Sequence, residues 1–429
     1  MRELTIDGRR IADDTPCFVI AEIGHNHQGS VERARELIRA AHEAGVDAVK
    51  LQKRDNRRLY TRALYDTPYD NENSFGPTYG AHREALELDR DAYATLRDEA
   101  RSLGLVFFAT AFDEPSADVL AELEAPAFKI ASGDLTNTPL LRHVAAFGKP
   151  LVVSTGGATI EDVDRAVETV TGAGGTLCLL QCTAAYPAVV EDLNLGVITT
   201  FRERYPELVI GLSDHQDGIA MAPVAYMLGA RVVEKHFTLS HTSKGTDHAF
   251  SLMPEGMRKL VRDLRRVPIA VGDGVKRPLP SEEKPLQKMG KQLVAARSLP
   301  AGHVLAEGDL VAKSPADGGL PPYALNQLLG RPLVRSLAAD EAISTGDVAS
   351  PSPAEALSPT ASPNRAAPPV ATSTSPSSTT SCSSVPPTRS TVSWSSSARS
   401  ILIRPRKVPF LDFRSRTRIA LPRFCSSRW

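Results

Sequence analysis

Short apolar runs separated by amphipathic stretches recur along the first 270 residues of the chain. The runs CFVIAEIG (17–24), DAVKLQK (47–53), LVFFATA (105–111), AFKIAS (127–132), PLVVSTG (150–156), TLCLLQC (176–182), LVIGLSDH (208–215) and ARVVEKH (230–236) read as strands. Near-continuous Val, Ile and Leu is the pattern of a parallel sheet covered on both faces. The stretches VERARELIRAAHEAG, RDAYATLRDEARSLG and TIEDVDRAVETVTGAG have helical apolar spacing and end in Gly, a common helix stop. Eight strands alternating with helices are the number needed to close a (β/α)8 barrel, which is the fold predicted for residues 1–270.

The polar residues at the strand ends form a second pattern. His215 and His236 lie 21 residues apart, each closing an apolar run, with an amphipathic stretch between. A strand–helix–strand spacing brings both imidazoles to the same end of neighbouring parallel strands, the end that carries the chemistry of such barrels. One such histidine is readily a polar residue packed on loops; two converging can hold a divalent metal. Around the barrel the other strands end in Glu22, Lys50 with Gln52, Thr110, Lys129 with Ser132, Ser154 with Thr155, Thr183, Ser213, and Glu234 beside His236. Lys50 and Gln52 share a face by period-two alternation, as do Glu234 and His236. A buried Lys or Glu is costly unless paired or facing a charged ligand. A structural ion pair explains one such residue but not eight strands ending this way. Two lysines and several hydroxyls suit a phosphate and a carboxylate, two histidines a metal, and Glu22 a hydroxyl or a proton. The residues point to a metal-assisted enzyme acting on an anionic, phosphorylated small molecule.

At these positions the chain resembles the N-acetylneuraminate (sialic acid) synthase family. The matching stretches are AEIGHNHQGS (21–30), VKLQK (49–53), FKIASGDLTN (128–137), VVSTGGAT (152–159), QCTAAYP (181–187), GLSDHQDG (211–218) and VVEKHFTL (232–239), in order through the barrel. The resemblance implies a TIM barrel that condenses phosphoenolpyruvate with an open-chain N-acyl amino sugar such as N-acetylmannosamine. The products are a nine-carbon 2-keto sugar acid and phosphate. It further implies that residues 271–348, with LVAARSLPAGHVLAEGDLVAKSP (293–315) and LLGRPLVRSLAADEAIS (328–344), form a linker and a small β-rich SAF (antifreeze-like) domain. That domain reaches over the partner's active site in a domain-exchanged homodimer of the family. Carried over by position, His215 and His236 would bind Mn²⁺, with Mg²⁺ or Co²⁺ as alternatives, to polarise the sugar aldehyde. Lys50, Thr110, Lys129, Ser132, Ser154 and Ser213 would cradle phosphoenolpyruvate, and Glu22, Gln52, Tyr186 and Asp247 would contact the sugar or the reacting centre.

Three departures bear on this reading. Lys313-Ser314-Pro315 stands where the family carries Lys-Arg-Pro, whose Arg reaches the sugar's acyl group in the partner. Loss of a planar guanidinium, which Lys313 does not replace, leaves the acceptor sugar open. Ala184 replaces an Asn near phosphoenolpyruvate, and Asp134 a Glu after Ser-Gly. The segment SFGPTYGAHREALE (74–87) lies in a long insertion after the second strand and matches the spore-coat and nonulosonate branch. The competing expectations are therefore a spore-coat polysaccharide or other-aldose condensing enzyme of the same family, and a non-catalytic sugar-phosphate binding protein.

Composition adds limits. The 429 residues are 42% hydrophobic and balance 50 Lys and Arg against 50 Asp and Glu, so the net charge implies neither nucleic acid nor membrane. With no signal peptide or long apolar span, a cytoplasmic location is expected. Cys17, Cys178 and Cys182, in barrel strands, read as reduced packing residues. The run His25-Asn26-His27 reads as a polar active-site loop rather than a second metal site. Residues 349–429 turn Ser/Pro/Thr-rich and then Arg-rich, a composition that cannot offset chain entropy by burial. The expectation there is a disordered extension or the product of a shifted reading frame, with a basic tail touching anionic surfaces as the functional alternative.

Overall fold

The structure, a computed structural model, describes residues 2–350; the expectations for the Ser/Pro- and Arg-rich segment lie outside the described residues apart from its first two positions. Contacts divide the chain into two compact units, meeting at Leu286 and Gln287. Among the described residues, no helix is long and apolar enough to cross a membrane.

The first unit opens with an antiparallel hairpin of β1 (Glu3–Ile6) and β2 (Arg9–Ala12). Its two-residue turn, Asp7-Gly8, has both residues at positive φ (50° and 73°), the twist that a tight hairpin favours. Eight strands follow: β3 (Phe18–Gly24), β4 (Ala48–Lys53), β5 (Val106–Ala111), β6 (Phe128–Ile130), β7 (Leu151–Ser154), β8 (Leu177–Cys182), β9 (Val209–Asp214) and β10 (Val232–His236). They close in sequence into a parallel barrel in which β10 pairs with β3, the fold expected from the apolar runs. The run 127–132 is shorter than predicted, because the chain leaves β6 at Ile130 and tightens into a 3₁₀ turn at Ser132–Asp134.

Alternation along the strands builds two cores. Outward residues such as Val19, Ala21, Val49 and Leu51 pack on buried helix faces, including Leu37 and Ile38 of the helix Val31–Ala44 and Leu260 and Leu264 of Pro254–Val271. The first of these helices is capped by the Ser30 side chain, which accepts from the Arg33 N–H, and ends at Gly45 in the left-handed region, φ 84°. Each fully buried aliphatic side chain contributes about 1.5–3 kcal/mol. Inward residues form an apolar floor of Phe18, Ile20, Phe108, Val152, Leu180, Val209 and Val232, joined by Leu4, Ile6 and Ile11 of the hairpin. The hairpin thus plugs the end of the barrel where the strands begin. One or two steps further along each strand, the same inward face carries Glu22, Lys50, Thr110, Lys129, Ser154, Cys182, Ser213, Glu234 and His236. Asp214 and Lys235 take the opposite face and pair there at 2.8 Å, both buried.

The second unit, which begins at Gln287, is a small β-rich fold. Strands β11 (Gln292–Ala295) and β12 (Leu310–Lys313) pair antiparallel over Leu293, Leu299, Leu305, Leu333, Leu337 and Ile343. Its last contacts are the bridge Leu333–Val348 and the Ala349 N–H donating to Pro332 O at 3.0 Å. Lys313 forms an ion pair with Asp340, and the Ser314 hydroxyl accepts from Lys291 Nζ at 2.7 Å.

Candidate active site

A cavity of about 400 Å³ lies where the barrel strands end, and its lining includes every residue assigned a role from the sequence: Glu22, Lys50, Gln52, Thr110, Lys129, Ser132, Ser154, Tyr186, Ser213, His215, His236 and Asp247. At its floor two ammonium groups meet two carboxylates. Lys50 Nζ lies 2.5 Å from Glu22 Oε2, donates to Thr110 Oγ1 at 2.8 Å, and is 3.9 Å from Glu234 Oε1. Lys129 Nζ is 3.8 Å from the same Glu234 oxygen, to which the Ser213 hydroxyl donates at 3.2 Å. Glu22 is further held by Gln52 Nε2 at 2.6 Å.

Burial and neighbours separate these groups. Burial pushes the Glu22 carboxyl above the usual carboxylate range despite Lys50, with Glu234 adding repulsion. Burial also pushes Glu234 up, but Lys129 and Lys50 outweigh it and hold that carboxyl below its usual range. Lys129 is lowered by burial, with Glu234 opposing. Ser154 Oγ and Glu234 Oε2 are buried without a hydrogen-bond partner, and each belongs to a residue lining the cavity. Such unmet capacity is rare in protein interiors and suits a polar ligand.

The other wall carries the histidines. His215 Nδ1 lies 2.8 Å from Thr183 O; a carbonyl only accepts, so Nδ1 carries a hydrogen and Nε2 is the nitrogen left to face a ligand. His236 Nδ1 is buried without a hydrogen bond, 3.6 Å from Asp247 Oδ2. Burial lowers the His236 pKa more than Asp247 raises it, which favours neutral imidazole, the metal-binding form. The two rings are 5.3 Å apart, with Tyr186 4.3 Å from His215 and Phe250 5.0 Å from His236. These donors fit a divalent ion held by two imidazoles with its other positions left to water or substrate. No group of three or more His, Cys, Asp or Glu side chains forms a fuller metal site among the described residues.

Several lining residues were given no role from the sequence. Glu234 stood out only as a strand-end carboxylate; its contact with both lysines arises when β10 closes on β3. Arg54 was missed although it continues the inward alternation of Lys50 and Gln52. Arg83 reaches the cavity from the short helix Tyr79–Glu84 of the long insertion after β4, which periodicity does not connect to the barrel, and His25 reaches it from the run read as a polar active-site loop. Of the His25-Asn26-His27 run only His25 lines it. Asn26 donates to Phe237 O and Ser251 Oγ at 2.8 and 3.0 Å, and His27 Nδ1 accepts from the Gly29 N–H at 3.1 Å, so both brace the loop. Cys182, expected as a packing residue, also lines the cavity, as does Ala184. Asp134 does not; it accepts from Asn137 at 3.3 Å.

Comparison with known proteins gives the family. Residues 37–276 match the model of the NeuB family and residues 291–349 that of the SAF domain. The chain is 40% identical over 324 residues to the N-acetylneuraminate-9-phosphate synthases of Mus musculus and Homo sapiens, covering 76% of this chain and 90% of theirs. It is 36% identical over 320 residues to the N,N'-diacetyllegionaminic acid synthase of Legionella pneumophila, covering 73% of this chain and 89% of that one. Among solved structures it is similar to an N-acetylneuraminic acid synthetase from Leptospira borgpetersenii, with TM-score 0.58 and 31% identity over 66% of this chain and 95% of that one. It is also similar to a spore coat polysaccharide biosynthesis protein from Bacillus subtilis, with TM-score 0.56 and 31% identity over 81% and 99%.

Proposed function

Because the chain belongs to the NeuB family, we propose that it is a nonulosonate synthase, condensing phosphoenolpyruvate with an open-chain N-acyl amino sugar. The carrying observation is the floor of the cavity, where Lys50 and Lys129 converge on Glu234 beside the unpartnered Ser154 hydroxyl. Two ammonium groups offset the repulsion between the phosphate and carboxylate of phosphoenolpyruvate; Ser154, Ser132, Ser213 and Thr110 fix its orientation. Carbon 3 of the enol bonds to the aldehyde carbon, and the aldehyde oxygen takes a proton. Glu22, raised by burial, is suited to hold that proton, with Gln52 orienting its carboxyl. Positive charge then develops at carbon 2, where ionised Glu234 offers compensation. Water adds at carbon 2 and gives up one proton, which replaces the one delivered to the aldehyde oxygen; the bond from that carbon to the phosphate oxygen then breaks, the hydroxyl's remaining proton leaves with the phosphate, and carbon 2 is left as the ketone of the keto acid.

His215 and His236 would hold the divalent ion, Mn²⁺ in the first instance, and when bound it would supply Lewis acidity toward the aldehyde. Tyr186 and Asp247 would contact the sugar. The same reading includes a domain-exchanged homodimer in a cytoplasmic setting. Phosphoenolpyruvate labelled with oxygen-18 at its bridging position tests which bond breaks, carbon–oxygen or phosphorus–oxygen. The label is expected in the released phosphate; label in the keto acid would contradict addition of water at carbon 2.

A further inference from the structure

Beside the two histidines lies a charge pair that the reaction above does not use. Asp214 and Lys235 precede His215 and His236 in the chain and stand opposite each other in the β9–β10 register. They face away from the cavity, and their side chains, each 1% exposed, meet at 2.8 Å. Outward positions toward the ends of five other strands carry Ile23, Leu51, Ala111, Ile130 and Val153, packed against the helices. Covering the barrel there does not call for charge. Nor is stability a sufficient reason for the pair, since apolar residues of similar volume often hold such a place equally well.

The hydrogen bonds show what the pair does instead. Asp214 Oδ1 accepts from the Gln216 N–H at 2.9 Å, while Oδ2 takes the Lys235 ammonium. Lys235 Nζ also donates to Gln216 O. These contacts close a ring over residues 214–216 and leave His215 between two anchored neighbours. His215 is otherwise held from the loop after β8, by Thr183 O at its Nδ1 and by the Ala188 N–H, which donates to its carbonyl at 3.1 Å. Those contacts follow the loop; the ammonium ties the turn to β10, one residue before His236. Lys235 is itself fixed in register against Ala21 of β3. The rings of His215 and His236, 5.3 Å apart, are thus spaced by one lysine that bridges their two strands. Groups that orient metal-binding side chains change affinity without touching the ion.

We propose that Asp214 and Lys235 are positioning residues that set the distance and aim of His215 relative to His236, so that the two imidazoles hold one divalent ion; this rests on the metal in the synthase reading above. An apolar pair would fill the same space but leave the turn at Gln216 unanchored.

The test uses the full-length protein and two double variants. Asp214→Leu with Lys235→Met keeps the volume; Asp214→Asn with Lys235→Gln keeps donors and acceptors without charge. Mn²⁺ affinity is followed by electron paramagnetic resonance of the free ion, alongside the denaturation midpoint of the metal-free protein and the KM for phosphoenolpyruvate at saturating Mn²⁺. The Leu/Met variant should bind Mn²⁺ about tenfold to 100-fold more weakly, with midpoint and KM unchanged, and the Asn/Gln variant should fall between. Unchanged Mn²⁺ affinity in both variants overturns the positioning role and leaves the synthase reading standing. A lower midpoint with Mn²⁺ affinity and KM weakened together overturns it too, making the pair a brace of the barrel. Wild-type protein that binds no Mn²⁺ overturns both the positioning role and the metal in that reading. Should the Leu/Met variant not fold, the Asn/Gln variant decides by the same readouts.

Discussion

At Glu234 two buried ammonium groups and a serine hydroxyl converge on one carboxylate oxygen, while its second oxygen has no partner. If that carboxylate serves the positive charge that develops in the reaction, Glu234→Gln should lower kcat about 100-fold without raising the KM for phosphoenolpyruvate. A raised KM with unchanged kcat would mark it as a binding group instead. Lys129→Met should do the reverse, raising that KM about tenfold or more. At the histidines, His215→Ala should abolish Mn²⁺ binding followed by electron paramagnetic resonance, and retained affinity would remove the metal from this wall. Much of this site was legible in the chain because alternate residues of one strand share a face: Lys50 with Gln52, and Glu234 with His236. The same rule extended by one step would have found Arg54. His25 was legible only as part of a polar active-site loop, and Arg83 was not, because the fold of the insertion, not local pattern, brings its helix to the cavity.

At the scale of elements the eight strands were legible because both of their faces are buried, which leaves apolar runs too regular to miss. The hairpin was not anticipated, although Asp7-Gly8 flanked by Leu4, Ile6 and Ile11 carries its signal. Its role as the barrel's plug depends on which floor residues it meets. Inside the barrel, a Cβ built on Gly211 would lie 2.5 Å from Val232 O and from Leu180 Cδ2. Gly211→Ala should therefore destabilise the barrel by about 1–3 kcal/mol, read as a lower chemical-denaturation midpoint; an unchanged midpoint would mean that β9 and β10 can shift apart. In the second unit, Asp309 accepts from His303 Nε2 and Arg297 at 2.6 Å and from the Ala306 N–H at 2.9 Å. The His303 hydrogen bond, the backbone contact and the nearby charges hold its carboxyl below the usual range. A depressed folded pKa gives stability that is present above the unfolded value and lost as pH falls through the folded one. Hydrogen exchange of β11 and β12 should accordingly speed up as the solution is acidified below the ordinary carboxylate range, and Asp309→Asn should flatten that response.

At the scale of the molecule, an apolar plug, an apolar floor and a charged upper layer stack along one barrel, so packing secures one end and chemistry occupies the other. Membership of the NeuB family and the SAF match at 291–349 fit the order read from the chain. Ser314, bonded to Lys291 and Met289 O, stands where the resemblance leads one to expect an arginine. The most direct measurement mixes the purified full-length protein with phosphoenolpyruvate, Mn²⁺ and each of a panel of N-acyl amino sugars and their phosphates, recording phosphate release and product mass. The account predicts equal amounts of phosphate and a nine-carbon keto acid with at least one acceptor, abolished by EDTA and restored by Mn²⁺. Folded, metal-loaded protein that consumes phosphoenolpyruvate with none of them would contradict it.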